Sequence, residues 1–190
     1  SASSQFVSGL LLSAARFDQG LTLTHKGQGL PSLPHIEMTL HTLRARGVGA
    51  QAIDSSSWRV EPGPISGGRI VIEPDLSNAG PFMAAAMVTH GTVKIPNWPS
   101  ATTQVGDHYR ILLTRMGADI EVIDDVLTIS GAGEIKGIEA DLSEAGELVP
   151  TIAALCALAV SPSKLIGIGH LRGHETDRLA ALVAEINNLG

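Results

Sequence analysis

Aromatic residues make up only 3% of this 190-residue chain, and there is one cysteine, Cys156. The first scarcity means that Ala, Leu, Ile and Val are expected to build the core, which suits helices packed on sheets. The second excludes an internal disulfide, and Cys156 lies within the apolar run TIAALCALAV, where a thiol fills core volume. No run of Lys and Arg forms a stripe and the net charge is −6, so the electrostatic footprint of a nucleic-acid binder is missing. The longest apolar stretch, near residues 152–160, is about half of what a bilayer crossing requires. A membrane span is not expected. The opening SASSQFVSGLLLSAA has no basic n-region, which argues against a signal peptide, and a cytoplasmic setting is expected.

What the chain does have is 44% hydrophobic against 17% charged residues, enough to bury a sizeable core. An α/β or α+β class follows. It also repeats itself. Ile72-Glu73-Pro74-Asp75-Leu76-Ser77-Asn78-Ala79-Gly80 matches Ile138-Glu139-Ala140-Asp141-Leu142-Ser143-Glu144-Ala145-Gly146, and an Ala-rich segment follows each. Each copy then carries a second helix with apolar residues at helical spacing: Tyr109, Leu112, Leu113 and Met116 in one, Leu179, Leu182, Val183 and Ile186 in the other. Gly117 and Gly190 are expected to end these helices, as Gly47 ends an earlier one after HIEMTLHTLRAR.

Three units are thereby traced, each predicted as strand, helix opening at Ser, strand, loop, helix and a strand pair, with ADIEVI and VLTIS joined by Asp124-Asp125. This is a βαβαββ plan. The first unit starts at a helix and the last stops at a helix cap, so the chain is expected to be part of a longer protein. The segment Glu61 to Gly68 holds two prolines and three glycines and is the expected linker, dividing residues 1–67 from 68–190.

Helices opening at Ser expose free N–H groups and a positive dipole end, which favour phosphate or carboxylate ligands. Ser3, Ser4 and Gln5 stand at such an opening, and ordinary N-capping by Ser is the alternative. From His170 to Leu179 the chain gathers two His, two acids and two Arg at the mouth of a predicted helix. Acid–base work beside an anion-binding arginine is one reading, and a solvated helix start capped by Asp177 is the other. Metal binding by His170, His174 and Glu175 is disfavoured, since neither HExxH spacing nor a paired-cysteine pattern is present. Glu147, at the start of an apolar helix, is either a dipole partner or a general base.

Three segments together resemble the EPSP synthase (3-phosphoshikimate 1-carboxyvinyltransferase) family. Ser3-Ser4-Gln5-Phe6 looks like its SSQF element, Pro31-Ser32-Leu33-Pro34-His35 like its substrate loop, and Glu175-Thr176-Asp177-Arg178-Leu179 like its ETDRL element, in matching order and spacing. The resemblance covers the chain as a central part of that family's length. It implies a two-lobe fold of repeated units, an inside-out α/β barrel, with residues 1–67 in the first lobe and 68–190 in the second.

It also implies transfer of the enolpyruvyl group of phosphoenolpyruvate to the 5-hydroxyl of shikimate 3-phosphate, a step of aromatic amino acid biosynthesis. Ser3, Ser4 and Gln5 would bind shikimate 3-phosphate, with Gln5 also near phosphoenolpyruvate, and Ser32 would reach the 3-phosphate. Arg178 would hold phosphoenolpyruvate. Glu147 falls where the family usually has an Asp that contacts the ring hydroxyls and acts as base, and Glu175 would handle the proton at the methylene carbon. His174 stands at a Lys of the family and His170 at an Asn that often bonds substrate. No metal or organic cofactor, no nucleic acid and no membrane is implied, and a monomer is expected. The alternatives are transfer to UDP-N-acetylglucosamine by the sister family, or a catalytically incomplete fragment or binding module of the same fold. Closure of two lobes about the linker is the expected conformational step.

Overall fold

The computed structural model describes residues 4–27, 30, 33–173 and 176–190. Its chain divides into two compact units, residues 1–71 and 72–190.

In the first unit, α1 (Ser4–Ala14) is followed by β1 (Leu21–Thr24), α2 (Leu33–Ala45), β2 (Ala50–Asp54) and β3 (Ser57–Val60). The strands form an antiparallel sheet in the order β1-β3-β2. Val7, Leu11 and Ala14 of α1 recur on one face, as do Ile36, Leu40 and Leu43 of α2, and both faces are buried with Trp58 and Val60. Thr39 donates to the His35 carbonyl at 3.0 Å and shares a hydrogen bond with Ser8 at 2.9 Å, tying the two helices together. Gly47 ends α2 at a φ of 77°, with its own N–H on the Arg44 carbonyl and that of Val48 on the Leu43 carbonyl, a Schellman closure.

The second unit contains the duplication. Its first copy runs α3 (Gly80–Val88), β4 (Thr92–Pro96), α4 (Tyr109–Arg115), β5 (Ala118–Ile123) and β6 (Val126–Gly131). Its second copy runs β7 (Glu139–Asp141), α5 (Val149–Ala157), β8 (Lys164–Ile166) and α6 (Arg178–Leu189). Strands β4, β6 and β5 form an antiparallel sheet in that order, while β7 and β8 pair in parallel. Asp124 and Asp125 turn the β5–β6 hairpin with φ of 49° and 58°, the left-handed pair that a two-residue hairpin demands. All three sheets are open, and no closed barrel forms among the described residues. The expected order of elements is present in the second copy, and in the first from its opening helix onward.

Several local expectations differ. The helices do not open at Ser77 and Ser143. The preceding aspartates form the turn instead: Asp75 Oδ1 accepts the Asn78 N–H at 3.0 Å, and Asp141 Oδ1 accepts the Ser143 N–H at 2.9 Å. Pro81 and Pro150 then start α3 and α5 with φ already set. The strand expected to open the first copy is absent: residues 69–73 join no ladder, and Ile70, Val71 and Ile72 are exposed. The end of this segment is held by Gln104, whose side chain accepts from the Leu76 N–H at 3.0 Å and donates to Glu73 at 2.7 Å.

The aromatic residues, though few, are important: Trp58, Trp98 and Tyr109 are buried, alongside Met83, Met87 and Met116, while Phe6 and Phe82 face outward. Cys156 is half-buried against the core of its unit. Helix α4 buries Tyr109, Leu112 and Leu113 as its spacing predicts. Helix α6 has the same spacing but no buried residue; Leu179, Leu182, Val183 and Ile186 line an open apolar groove of about 410 Å³ with Val149, Ala153 and Leu165. The hairpin β5–β6 packs on α3 and α4, and nothing similar lies on α6 among the described residues. Among the described residues, no helix is long and apolar enough to cross a membrane.

Candidate active site

The duplication brings loops to the carboxyl ends of the parallel strands β7 and β8, the end at which open α/β sheets gather ligands. After β7, Asp141 turns the chain and a 3-10 turn, Gly146–Leu148, leads into α5. Glu147 lies in that turn, half-buried, between buried Gly146 and Leu148. After β8, Gly167 takes a φ of 76° and packs so closely on Asp141 and Ser143 that any side chain would collide with them.

A 3-10 turn over Gly169–Gly173 then folds His170 back. Its Nδ1 lies 3.1 Å from the Gly167 carbonyl, and its Nε2 sits where a Cβ on Gly146 would approach to 2.5 Å. The acceptor at Nδ1 places the ring proton there when the imidazole is neutral, leaving Nε2 as an acceptor over the turn that carries Glu147. Glu147 and His170 are therefore brought to one place by the strand ends.

Arg178 is the first residue of α6 and is half-buried. Its position follows from the cap: Asp177 is extended and accepts the Ala180 N–H at 3.0 Å, and Arg172 reaches the same carboxylate at 3.5 Å. The capping role of Asp177 read from the sequence is thus present, with an arginine left at the helix mouth beside the dipole's positive end. In the first unit, Ser4 is buried in the first turn of α1 and Gln5 is exposed beside it. Ser3, Ser32, His174 and Glu175 lie outside the described residues.

In the first copy, the residues just before α4 form a polar cluster of their own. Asp107, just before α4, accepts from Trp98 Nε1 at 2.8 Å and from Arg110 at 2.7 and 2.6 Å. Burial alone would raise the Asp107 pKa, but the bonds from Arg110 and Trp98 and the nearby positive charge outweigh it and hold the carboxyl below its usual value. Gly106 packs on the turn before α3, where a Cβ would lie 2.5 Å from backbone atoms of Leu76 and Ser77.

Sequence reasoning placed Tyr109 only in an apolar stripe. The structure gives it a polar setting. Its ring covers Gly80 as His170 covers Gly146, so each repeated glycine is roofed by a ring from later in its own copy. Burial pushes the Tyr109 phenol up; the Thr151 hydroxyl pulls the other way, and the carboxylates of Glu147 and Asp75 add to the rise. The clue available in the sequence was the repeated glycine itself, since a glycine kept in both copies marks a close approach.

The EPSP synthase (3-phosphoshikimate 1-carboxyvinyltransferase) family model matches residues 1–190. The chain is 61% identical to the 3-phosphoshikimate 1-carboxyvinyltransferase of Kocuria rhizophila, over 100% of this chain and 43% of that protein. It is 52% identical to the enzyme of that name from Tropheryma whipplei, over 99% of this chain and 42% of that one. The EPSP synthase structure from Acinetobacter baumannii superimposes with a TM-score of 0.75 at 25% identity, covering 96% of this chain and 42% of the other. The chain thus spans less than half the length of these relatives. With a matching fold and a match along its whole length, the chain belongs to the EPSP synthase family.

Proposed function

We propose that the protein carrying this chain transfers the enolpyruvyl group of phosphoenolpyruvate to the 5-hydroxyl of shikimate 3-phosphate, releasing phosphate. The observation that carries this reading is the 61% identity to a 3-phosphoshikimate 1-carboxyvinyltransferase along the full chain. Residues 1–67 contribute to binding shikimate 3-phosphate: Ser3, Ser4 and Gln5 offer hydroxyls and an amide at a helix opening, and Ser32 meets the 3-phosphate. Residues 68–190 supply the proton-handling groups and the phosphoenolpyruvate arginine.

The chemistry requires two such groups. As the acceptor hydroxyl attacks C2 of phosphoenolpyruvate, that hydroxyl loses a proton and C3 gains one; as phosphate leaves, C3 gives a proton back. Glu147 takes the hydroxyl proton, and Glu175 serves the methylene carbon. Arg178 bonds the phosphoenolpyruvate anion with its planar fork, Gln5 assists, and His174 holds an anion of the acceptor. The longer acid at 147 sets the ring slightly further from the backbone than an Asp does. His170, at the family's Asn position, stands by the turn that carries Glu147 and contacts the acceptor. The reaction needs no metal or organic cofactor, and the protein acts as a cytoplasmic monomer.

The test is phosphate release by the full-length protein from phosphoenolpyruvate, with shikimate 3-phosphate or UDP-N-acetylglucosamine as acceptor. Release with the first alone is expected; release with the second alone supports the sister activity, and release with neither supports a binding module. The 190-residue chain by itself is expected to show no turnover, because the resemblance assigns further phosphoenolpyruvate ligands to other parts of the family's length.

A further inference from the structure

Tyr109 is fully buried in α4, yet its hydroxyl oxygen makes no hydrogen bond. Phenylalanine would fill the same volume without burying an unsatisfied polar atom, so stability gives no reason for the hydroxyl. Its location does. The oxygen is wedged against Gly80 at the start of α3 and faces Thr151 in the first turn of α5, three residues beyond the 3-10 turn that holds Glu147. Helices α3 and α5 pack on each other, so this phenol sits on the seam between the two copies. The charged and titratable groups around the seam are Asp75 before α3, Glu147 before α5, His170 against Gly146, and Asp107 with Arg110 beside Tyr109 itself.

We propose that Tyr109 is a positioning residue for Glu147, its buried O–H holding the first turn of α5 through Thr151 so that the carboxylate meets the acceptor hydroxyl. The unsatisfied O–H has the Thr151 hydroxyl as its neighbouring polar group. The seam is kept tight by Gly80, where any side chain would strike the phenol ring. The phenol stays protonated at neutral pH, since burial and the two carboxylates oppose its ionisation. This inference rests on Glu147 being the base.

The test compares Tyr109→Phe and Glu147→Gln in the full-length protein by thermal unfolding, shikimate 3-phosphate affinity and the pH profile of kcat. Tyr109→Phe is expected to melt no lower than the parent and to bind shikimate 3-phosphate within about twofold. Its kcat should fall roughly tenfold or more, the cost of a misplaced reacting group. The acid limb of its profile should also shift, because a displaced carboxylate meets different surroundings. Thr151→Val, which removes the facing hydroxyl, should give the same pattern and covers the case in which Tyr109→Phe fails to fold. If Glu147→Gln loses about a hundredfold or more while neither hydroxyl variant moves kcat or the pH limb, Tyr109 is core filling and the proposal is overturned. If Glu147→Gln keeps nearly all its kcat, the base assignment falls and this inference falls with it.

Discussion

Replacing Asp107 by Ala should cost more stability than any other single truncation of a polar side chain in the second unit. The carboxylate does two jobs. It accepts the indole N–H of Trp98, which is 0% exposed, and it forms a two-pronged pair with Arg110. Without it the indole N–H is left buried and unsatisfied, which costs about 1–3 kcal/mol. Arg110 fares better, because its side chain is 42% exposed and water replaces its partner; losing that pair costs at most about 1 kcal/mol. The total is about 1–4 kcal/mol for Asp107→Ala. Asp107→Asn keeps an acceptor for the indole and should lose about 1 kcal/mol. The pH dependence has a definite sign. The folded-state pKa is depressed below the ordinary 3.8, so the stabilisation is complete above that value and lost as pH falls through the lower folded-state one. Urea unfolding of the full-length protein at pH 7 and near pH 3 reads both effects, and the gap between parent and Asp107→Asn should narrow in acid. Equal stability of the Ala and Asn variants at pH 7, or a gap that widens in acid, would refute the reasoning.

Gly80→Ala should destabilise by about 1–3 kcal/mol through overpacking. Adding Tyr109→Phe should not rescue it, because Cε2 of the ring would still lie 2.7 Å from the new Cβ; rescue in urea titrations would show that only the hydroxyl is in the way. Asp177→Ala removes the α6 cap, and should cost about 1 kcal/mol and weaken phosphoenolpyruvate binding through Arg178, with Asp177→Ser restoring most of both; calorimetry showing unchanged affinity would detach the cap from the site. Arg178→Ala should weaken phosphoenolpyruvate binding more than shikimate 3-phosphate binding, and the reverse order would reject the arginine's assignment.

Much of the architecture was legible because it depends on local chemistry. Gly47 and Gly117 end helices because left-handed backbone is needed there, and Asp124-Asp125 turns a hairpin for the same reason. The Ile72–Gly80 and Ile138–Gly146 match exposed the duplication before any fold was known. The helix starts were misplaced because Ser was credited with work that Asp75 and Asp141 do, and because Pro81 and Pro150 are the stronger signals. The spacing of Leu179, Leu182, Val183 and Ile186 fixed an amphipathic helix, but spacing cannot say whether a covering element is present. Contacts at long sequence separation were invisible. Nothing local foretells that the His170 ring returns to Gly146 or that Tyr109 roofs Gly80. The site motifs themselves were read through family resemblance, which carries residue roles that periodicity does not.

The most direct test follows the methylene carbon when the full-length protein is given phosphoenolpyruvate and shikimate 3-phosphate in heavy water. Addition followed by elimination predicts a carboxyvinyl ether on the 5-oxygen of the acceptor, with solvent deuterium in its methylene group, visible by proton NMR and mass. An unmodified acceptor, or a transferred group carrying no deuterium, would contradict it.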